Sequence, residues 1–164
     1  MIFRKLSVGD SPLLFELINN VESALEDKNF WLPLNDTAKE HFFDISWTEF
    51  FGFFEGEKLI SAVGLFYNEH EFGESAEYLG IEKQGLAEVG RAMVHPEKRG
   101  QDLLLKMLEL VKKEAKIRGV KTLLATVHPQ NVPSRKSFLK AQFTLEATYV
   151  KASGFERSIF IYKL

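Results

Sequence analysis

Leu86-Ala87-Glu88-Val89-Gly90-Arg91-Ala92-Met93-Val94-His95-Pro96 runs through the turn Glu97-Lys98-Arg99-Gly100-Gln101 into a leucine-rich stretch that ends near Arg118. The first part reads as an apolar strand. Pro96 lacks an N–H and drives His95 into an extended conformation, so the strand cannot pair beyond it. Leu104, Met107, Leu108, Val111 and Ala115 recur at helical spacing, which predicts an amphipathic helix from about Gln101 to Arg118, ended by Gly119 at its C′ position. A strand delivered through a glycine turn onto a helix N-terminus presents unpaired N–H groups at the positive end of the helix dipole. That arrangement suits a ligand with a diphosphate. Taken alone, Arg99-Gly100 fits a plain turn before a solvated helix equally well.

Val127-His128-Pro129 ends a second buried run, Val120 to Val127, in the same way. Two neighbouring strands that both leave a sheet at their C-terminal ends open a crevice there, the usual ligand position in open α/β sheets. Working outward, Ile2 to Val8 alternates as a strand, and Asp10-Ser11-Pro12 starts a helix carrying Leu13, Leu14, Leu17, Ile18, Val21 and Leu25. Thr37 to Phe43 reads as a short second helix. Trp47 to Phe54 and Leu59 to Tyr67 form a hairpin through Glu55-Gly56-Glu57-Lys58. Asn68 to Gly85 reads as an acidic loop with Glu69, Glu71, Glu74, Glu77 and Glu82. Asn131-Val132-Pro133-Ser134 opens a helix ending near Ala141, and Phe143 to Lys151 with Glu156 to Leu164 forms a last hairpin. The order β, α, α, β, β, β, α, β, α, β, β, with no repeat or linker, predicts an α/β fold with a mixed sheet in one domain, 1–164.

Composition narrows the function classes. The 164 residues include fifteen phenylalanines, enough for one sizeable core. A net charge of −2 gives no general grip on nucleic acid or a membrane surface, and the tryptophans and phenylalanines read as core without a basic stripe beside them. Without cysteine there is neither a disulfide framework nor thiolate chemistry. His95 and His128 lack further ligands at metal spacing, so no metal is expected. No apolar run reaches the length of a membrane span and the first residues lack a signal h-region, so the expectation is a soluble cytoplasmic protein.

Val94, Pro96, Arg99 and Gly100 fit the pattern V-x-P-x-x-R-G-x-G-x-G/A, and Asn131, Ser134, Lys140 and Phe143 fit N-x-x-A/S-x-x-L-Y-x-K-x-G-F. In these patches, and in element order along nearly the whole chain, the sequence resembles the GNAT acyltransferases, which move an acyl group from acyl-coenzyme A to an amine. The resemblance implies a mixed, mostly antiparallel sheet with splayed central strands and flanking helices, and acetyl-coenzyme A as cosubstrate. It implies pantetheine bonded to backbone around Met93 and Val94. The pyrophosphate would be held by Arg99, Gly100, Gln101, Asp102, Leu103 and Leu104. Asn131 would touch the pantetheine arm or cap its helix, and Phe138 would border the thioester. The chain departs from the pattern at Asp102 and Leu104, which stand at glycine-like positions, at Gln142 in place of glycine, and at Phe138 in place of the tyrosine often assigned as general acid. Those departures keep a second reading open, a catalytically degenerate acyl-coenzyme A-binding or interaction module.

The reaction needs a neutral amine. An amine with a pKa near 10.4 is neutral about once in 2,500 molecules at pH 7, a deficit of roughly 4.6 kcal/mol that a carboxylate base relieves. Glu88 corresponds to a position from which family members extend that base. It also reads as an exposed strand residue or an ion-pair partner of Arg91. Ser134, Tyr78 and Tyr149 are the candidate proton donors, and Lys98 and Arg99 are expected to offset the Asp102 charge. The acidic loop suggests a cationic amine acceptor, or is simply a solvated loop. Ser158 to Tyr162 would support a homodimer if that strand lies at an edge.

Overall fold

The computed structural model describes residues 1–164. In chain order the elements are β1 (Ile2–Lys5), α1 (Ser11–Ser23), α2 (Asp36–Glu40), β2 (Thr48–Glu55), β3 (Lys58–Phe66), α3 (Glu69–Leu79), β4 (Leu86–Val94), α4 (Leu103–Ile117), β5 (Thr122–Val127), α5 (Val132–Lys140), β6 (Thr144–Val150) and β7 (Glu156–Lys163). The seven strands form one sheet in the order β1-β2-β3-β4-β5-β7-β6. Every neighbouring pair is antiparallel except β4 and β5. This is the mixed, mostly antiparallel sheet with flanking helices that the sequence predicts.

The period-2 alternation of the strands divides the core between two faces. On one face Phe51, Val63, Val89, Leu123 and Phe160 meet Leu103, Met107, Leu108 and Val111 of α4 and Phe138 of α5. On the other, Leu14, Leu17, Ile18 and Val21 of α1 meet Phe50, Phe54 and Phe66. Farther along that second face, Phe72 and Ala76 of α3 cover Leu86, Leu124, Ile159 and Ile161. Each such side chain, fully buried, contributes about 1.5–3 kcal/mol of apolar transfer.

Glu49 of β2 ties the strands to α4. Its side chain is 2% exposed and receives Lys5 Nζ at 2.6 Å, the Tyr67 hydroxyl at 2.8 Å and Arg118 Nη2 at 2.7 Å, with a further bond from Arg118 Nε. Burial opposes ionisation here. The hydrogen bonds from Arg118, Lys5 and Tyr67 nevertheless hold the carboxyl down to about 2.

Three expectations are corrected. The acidic segment from 68 to 85 is not a loop but carries α3, because Asn68 caps its start by accepting from the His70 N–H and Gly80, at φ 65°, ends it. Phe72, Ala76 and Leu79 supply its apolar stripe, and the run of glutamates masks that spacing. The strand containing Ser158 to Tyr162 is not an edge: β7 lies between β5 and β6, so it offers no free ladder to a second copy, and the outer strands are β1 and β6. The helix expected from Gln101 begins at Leu103, because Asp102 adopts φ 56° and ψ 25°.

Candidate active site

β4 and β5 pair at Leu86↔Thr122, Ala87↔Leu123 and Glu88↔Leu124, and then part. β4 continues to Val94 and β5 to Val127, so both strands present unpaired backbone toward a wedge whose vertex is the Glu88–Leu124 rung. On its other side β4 stays paired with β3 up to Ser61↔Val94. The expected splay of the central strands is therefore present, and it leaves main-chain N–H and C=O groups for a ligand to satisfy.

A bulge sets what faces this wedge. Gly64 pairs with Gly90 and Ala62 with Met93, so Arg91 and Ala92 together oppose Val63, and Arg91 takes φ 51°. An extra residue shifts the alternation and re-aims side chains. Met93 then packs on the α1 face and Val94 on the α4 face. Arg91 reaches the α1–α2 connection, bonding the carbonyls of Leu32 and, at 3.3 Å, of Pro33.

Glu88 is neither an exposed strand residue nor an ion-pair partner of Arg91. The residue is half-buried, and its Oε2 is cut off from solvent without a hydrogen-bond partner. Burial, reinforced by the nearby Glu71 carboxylate and opposed by Lys151 and Arg91, pushes its pKa up to about 8. Among the glutamates of α3, Glu74 lies 3.5 Å from Lys151, Glu77 2.8 Å from Lys83, and Glu69 4.0 Å from the same lysine. Glu71, in the first turn of α3, has no ion-pair partner and adds its charge at Glu88. The four glutamates of α3 thus resolve into one free carboxylate near Glu88 and three that are compensated.

At the N-terminus of α4, Arg99, Gly100, Gln101 and Asp102 are exposed, and Gly100 takes φ 78° in open space. Asp102 caps nothing with its side chain. Lys98 does not offset its charge, since it bonds Glu55 at 2.9 Å. Leu104 is half-buried. Met93, Leu103 and Phe138 are buried in the core at 1%, 2% and 4% exposure, so their side chains face packing partners. Phe138 lies 5.1 Å from Phe143 edge-on and 5.6 Å from Phe160, so its ring is a packing residue of the core. Asn131 caps α5 by accepting from the Ser134 N–H at 3.5 Å. The Ser134 hydroxyl makes no bond within the protein, whereas Tyr149 is bonded to Ser75 at 2.7 Å and stacked on Tyr78 at 4.6 Å. His95 and His128 each accept from a backbone N–H two residues on, and no group of three or more His, Asp or Glu side chains gathers at metal-holding spacing.

Sequence reading did not set Glu71 apart from the other glutamates of its segment, and it missed Arg157 and the aim of Arg91. Arg157 keeps the parity of Ile159 and Ile161 on β7, which marks it as inward-facing on the α3 face. That parity was available in the sequence; the β4 bulge that turns Arg91 was not.

A family model described as Acetyltransferase (GNAT) family matches residues 16–143. The chain belongs to the GNAT acetyltransferase family. Its fold is similar to that of an N-acetyltransferase from Staphylococcus aureus Mu50, at 16% identity and a TM-score of 0.75 over 99% of this chain and 97% of that one. Ribosomal-protein-alanine N-acetyltransferase from Brucella melitensis superposes with a TM-score of 0.75 over the whole of both chains, at 16% identity. PaiA N-acetyltransferase from Thermoplasma acidophilum, solved in complex with coenzyme A, gives 0.65 at 18% identity over 99% of this chain and 98% of that one. No curated protein sequence matches the chain. No helix is long and apolar enough to cross a membrane.

Proposed function

We propose that the whole chain, 1–164, acts as one N-acetyltransferase domain that transfers acetyl from acetyl-coenzyme A to a primary amine by direct attack in a ternary complex. The observation that carries this reading is the carboxyl of Glu88, half-buried and raised to about 8, at the vertex of the β4–β5 wedge. A base with a pKa near the working pH removes a proton from an ammonium group most effectively. Glu71 adds a second negative charge there and favours a cationic amine.

Acetyl-coenzyme A supplies the activated acyl group as a thioester. The freed backbone of β4 around Met93 and Val94 would bind its pantetheine arm, and the N–H groups from Gly100 to Leu104 would bind its pyrophosphate, where the left-handed φ angles of Gly100 and Asp102 turn the chain. Arg99, exposed and without a carboxylate partner, adds positive charge at that turn. Asn131 would bond the arm only by giving up part of its cap. Phe138 and Leu103 contribute as the packed floor beneath the ligand rather than through polar contact. The amine loses its proton to Glu88 and attacks the thioester carbonyl; the C–S bond breaks, and the departing sulfur takes a proton, for which Ser134 is the donor with a free hydroxyl. A thiol with a pKa near 8.5 leaves readily, so this donor matters less than the base.

Two measurements test the reading. Acetyl-coenzyme A at about 100 times its Kd should stabilise the protein by roughly 2.7 kcal/mol, several degrees in Tm. Thiol should be released from acetyl-coenzyme A only when an amine is added. A Tm unmoved by millimolar ligand removes the cofactor reading, and a clear shift without thiol release for any amine identifies a binding module instead.

A further inference from the structure

Arg157 is the largest fully buried side chain of the protein, at 2% exposure, and no carboxylate lies within ion-pair distance of it. Its Nη1 donates to the Glu156 carbonyl at 2.6 Å and its Nη2 to the Asn29 carbonyl at 2.9 Å. Arg91 is alike: it donates to two carbonyls, of Leu32 and Pro33, and has no ion-pair partner. A guanidinium carries five N–H donors and does not lose its proton, so each arginine keeps three donors without a protein acceptor. Arg4 and Arg118, by contrast, are held by Asp10 and by Glu49 with Glu114.

Arg91 and Arg157 lie on the face of the sheet that carries Glu88. Arg157 shares it through the parity of Ile159 and Ile161, and Arg91 is turned onto it by the β4 bulge. Burial lowers the pKa of Arg91 and the charges of Glu71 and Glu88 raise it, so Arg91 stands near both carboxylates. Both arginines also grip one segment, 29–33, whose Asn29 joins His128, Ser153, Gly154, Phe155 and Glu156 around an open cleft of about 340 Å³. Phe155 and Glu156 of that lining are themselves contacts of Arg157. A buried guanidinium such as that of Arg157, without a counter-ion, is costly, and an oxyanion that accepts from it and from the half-buried Arg91 reduces the cost.

We propose that Arg91 and Arg157 bind an oxyanion of the acceptor, so that the substrate is a zwitterion whose amine meets Glu88 while its carboxylate or phosphate meets the two guanidinium groups. The inference rests on the acetyltransferase reading and narrows its acceptor to amino acids and related amines that carry an oxyanion. Glu71 and Glu88 face the amine, and the arginines face its counter-charge.

The test compares thiol release from acetyl-coenzyme A with free amino acids, aminoalkyl phosphates and the uncharged carboxamides of the same amino acids. The wild type should favour one of the two anionic classes over the amides by about 10²-fold in kcat/KM, and which one separates carboxylate from phosphate. Arg157→Lys keeps the charge and loses the fork; it and Arg91→Gln should lose most of that preference through KM, while the Tm shift given by acetyl-coenzyme A stays as in the wild type. Amides used as well as the anionic amines, or a preference that survives both substitutions, overturns the inference and leaves the arginines as pins for segment 29–33, with the acetyltransferase reading intact. A readout without turnover covers the other failure. By calorimetry with coenzyme A present, N-acetylated amino acids or N-acetylated aminoalkyl phosphates should bind the wild type and bind Arg157→Lys at least about 10-fold more weakly. Absence of binding by both overturns the inference even if no acceptor amine is ever turned over.

Discussion

Glu88 pairs with Leu124 at the last rung that β4 and β5 share, so the one carboxylate set between the central strands stands where they separate. Position and environment have a single origin. The rung keeps Glu88 within the sheet, and α3 covers the neighbouring Leu86 and Leu124 and brings Glu71 close.

The raised pKa of Glu88 makes stability depend on pH. The unfolded carboxyl ionises near 4.5 and the folded one near about 8, so the unfolded chain sheds its proton first. Stability is therefore lost as pH rises through that window, and below it nothing is lost. Glu88→Gln cannot ionise and escapes the loss. Melting curves should show the variant more stable than the wild type above about pH 8, with the difference closing toward about pH 5. A difference of equal size at both ends would mean that the fold does not perturb Glu88.

Glu49 has the opposite sign. Its carboxyl is held at about 2 against an ordinary 4.5, so its contribution is complete above the upper value and lost as pH falls through the interval. Glu49→Gln should cost about 3 kcal/mol at neutral pH, because Lys5, Arg118 and Tyr67 lose a shared acceptor. Denaturant unfolding at pH 7 and at about pH 3 checks this: the cost should shrink at the lower pH. An equal cost at both pH values would assign it to packing.

Asp102 is the strained residue of the turn proposed to hold the pyrophosphate. Its φ of 56° lies where a glycine is at ease, so the flexibility that glycine adds to the unfolded chain, about 0.5–1 kcal/mol, is offset by relief of strain. Asp102→Gly should leave Tm nearly unchanged. Coenzyme A affinity should rise about 3- to 10-fold at low salt, since a carboxylate about 5 Å from a phosphate charge costs roughly 3 kcal/mol at an effective dielectric near 20 and under 1 kcal/mol when water screens it. The gain should fade as salt is raised. Affinity that does not improve would show that the carboxylate points away from the ligand.

The strand–turn–helix from Leu86 to Arg118 was legible because Pro96, Gly100 and the leucine spacing act locally, and the paired stops at Pro96 and Pro129 announced the wedge. α3 was obscured by its glutamates, although Asn68 and Gly80 bracket it as caps. Asp102 as the residue before α4, with a left-handed backbone, was not legible, because an aspartate there also reads as an ordinary cap. The environment of Glu88 was hidden for a different reason. Its burial depends on α3 folding over β4 and β5, and the carbonyls in segment 29–33 that accept from Arg91 and Arg157 lie 58 to 128 positions away in the chain. Such contacts come from topology and a bulge, neither of which leaves a local pattern.

In the proposed mechanism Glu88 takes the proton of the amine. The direct measurement is kcat against pH for the wild type and Glu88→Gln, with acetyl-coenzyme A and one amine that the wild type acetylates. The wild type should show an ascending limb with its inflection near the folded pKa of Glu88, about 8. The variant should fall about 10²-fold or more at neutral pH, lose that inflection and recover in part at alkaline pH, where the amine is already neutral, with its acetyl-coenzyme A Tm shift unchanged. Superimposable pH profiles for the two proteins would contradict the account.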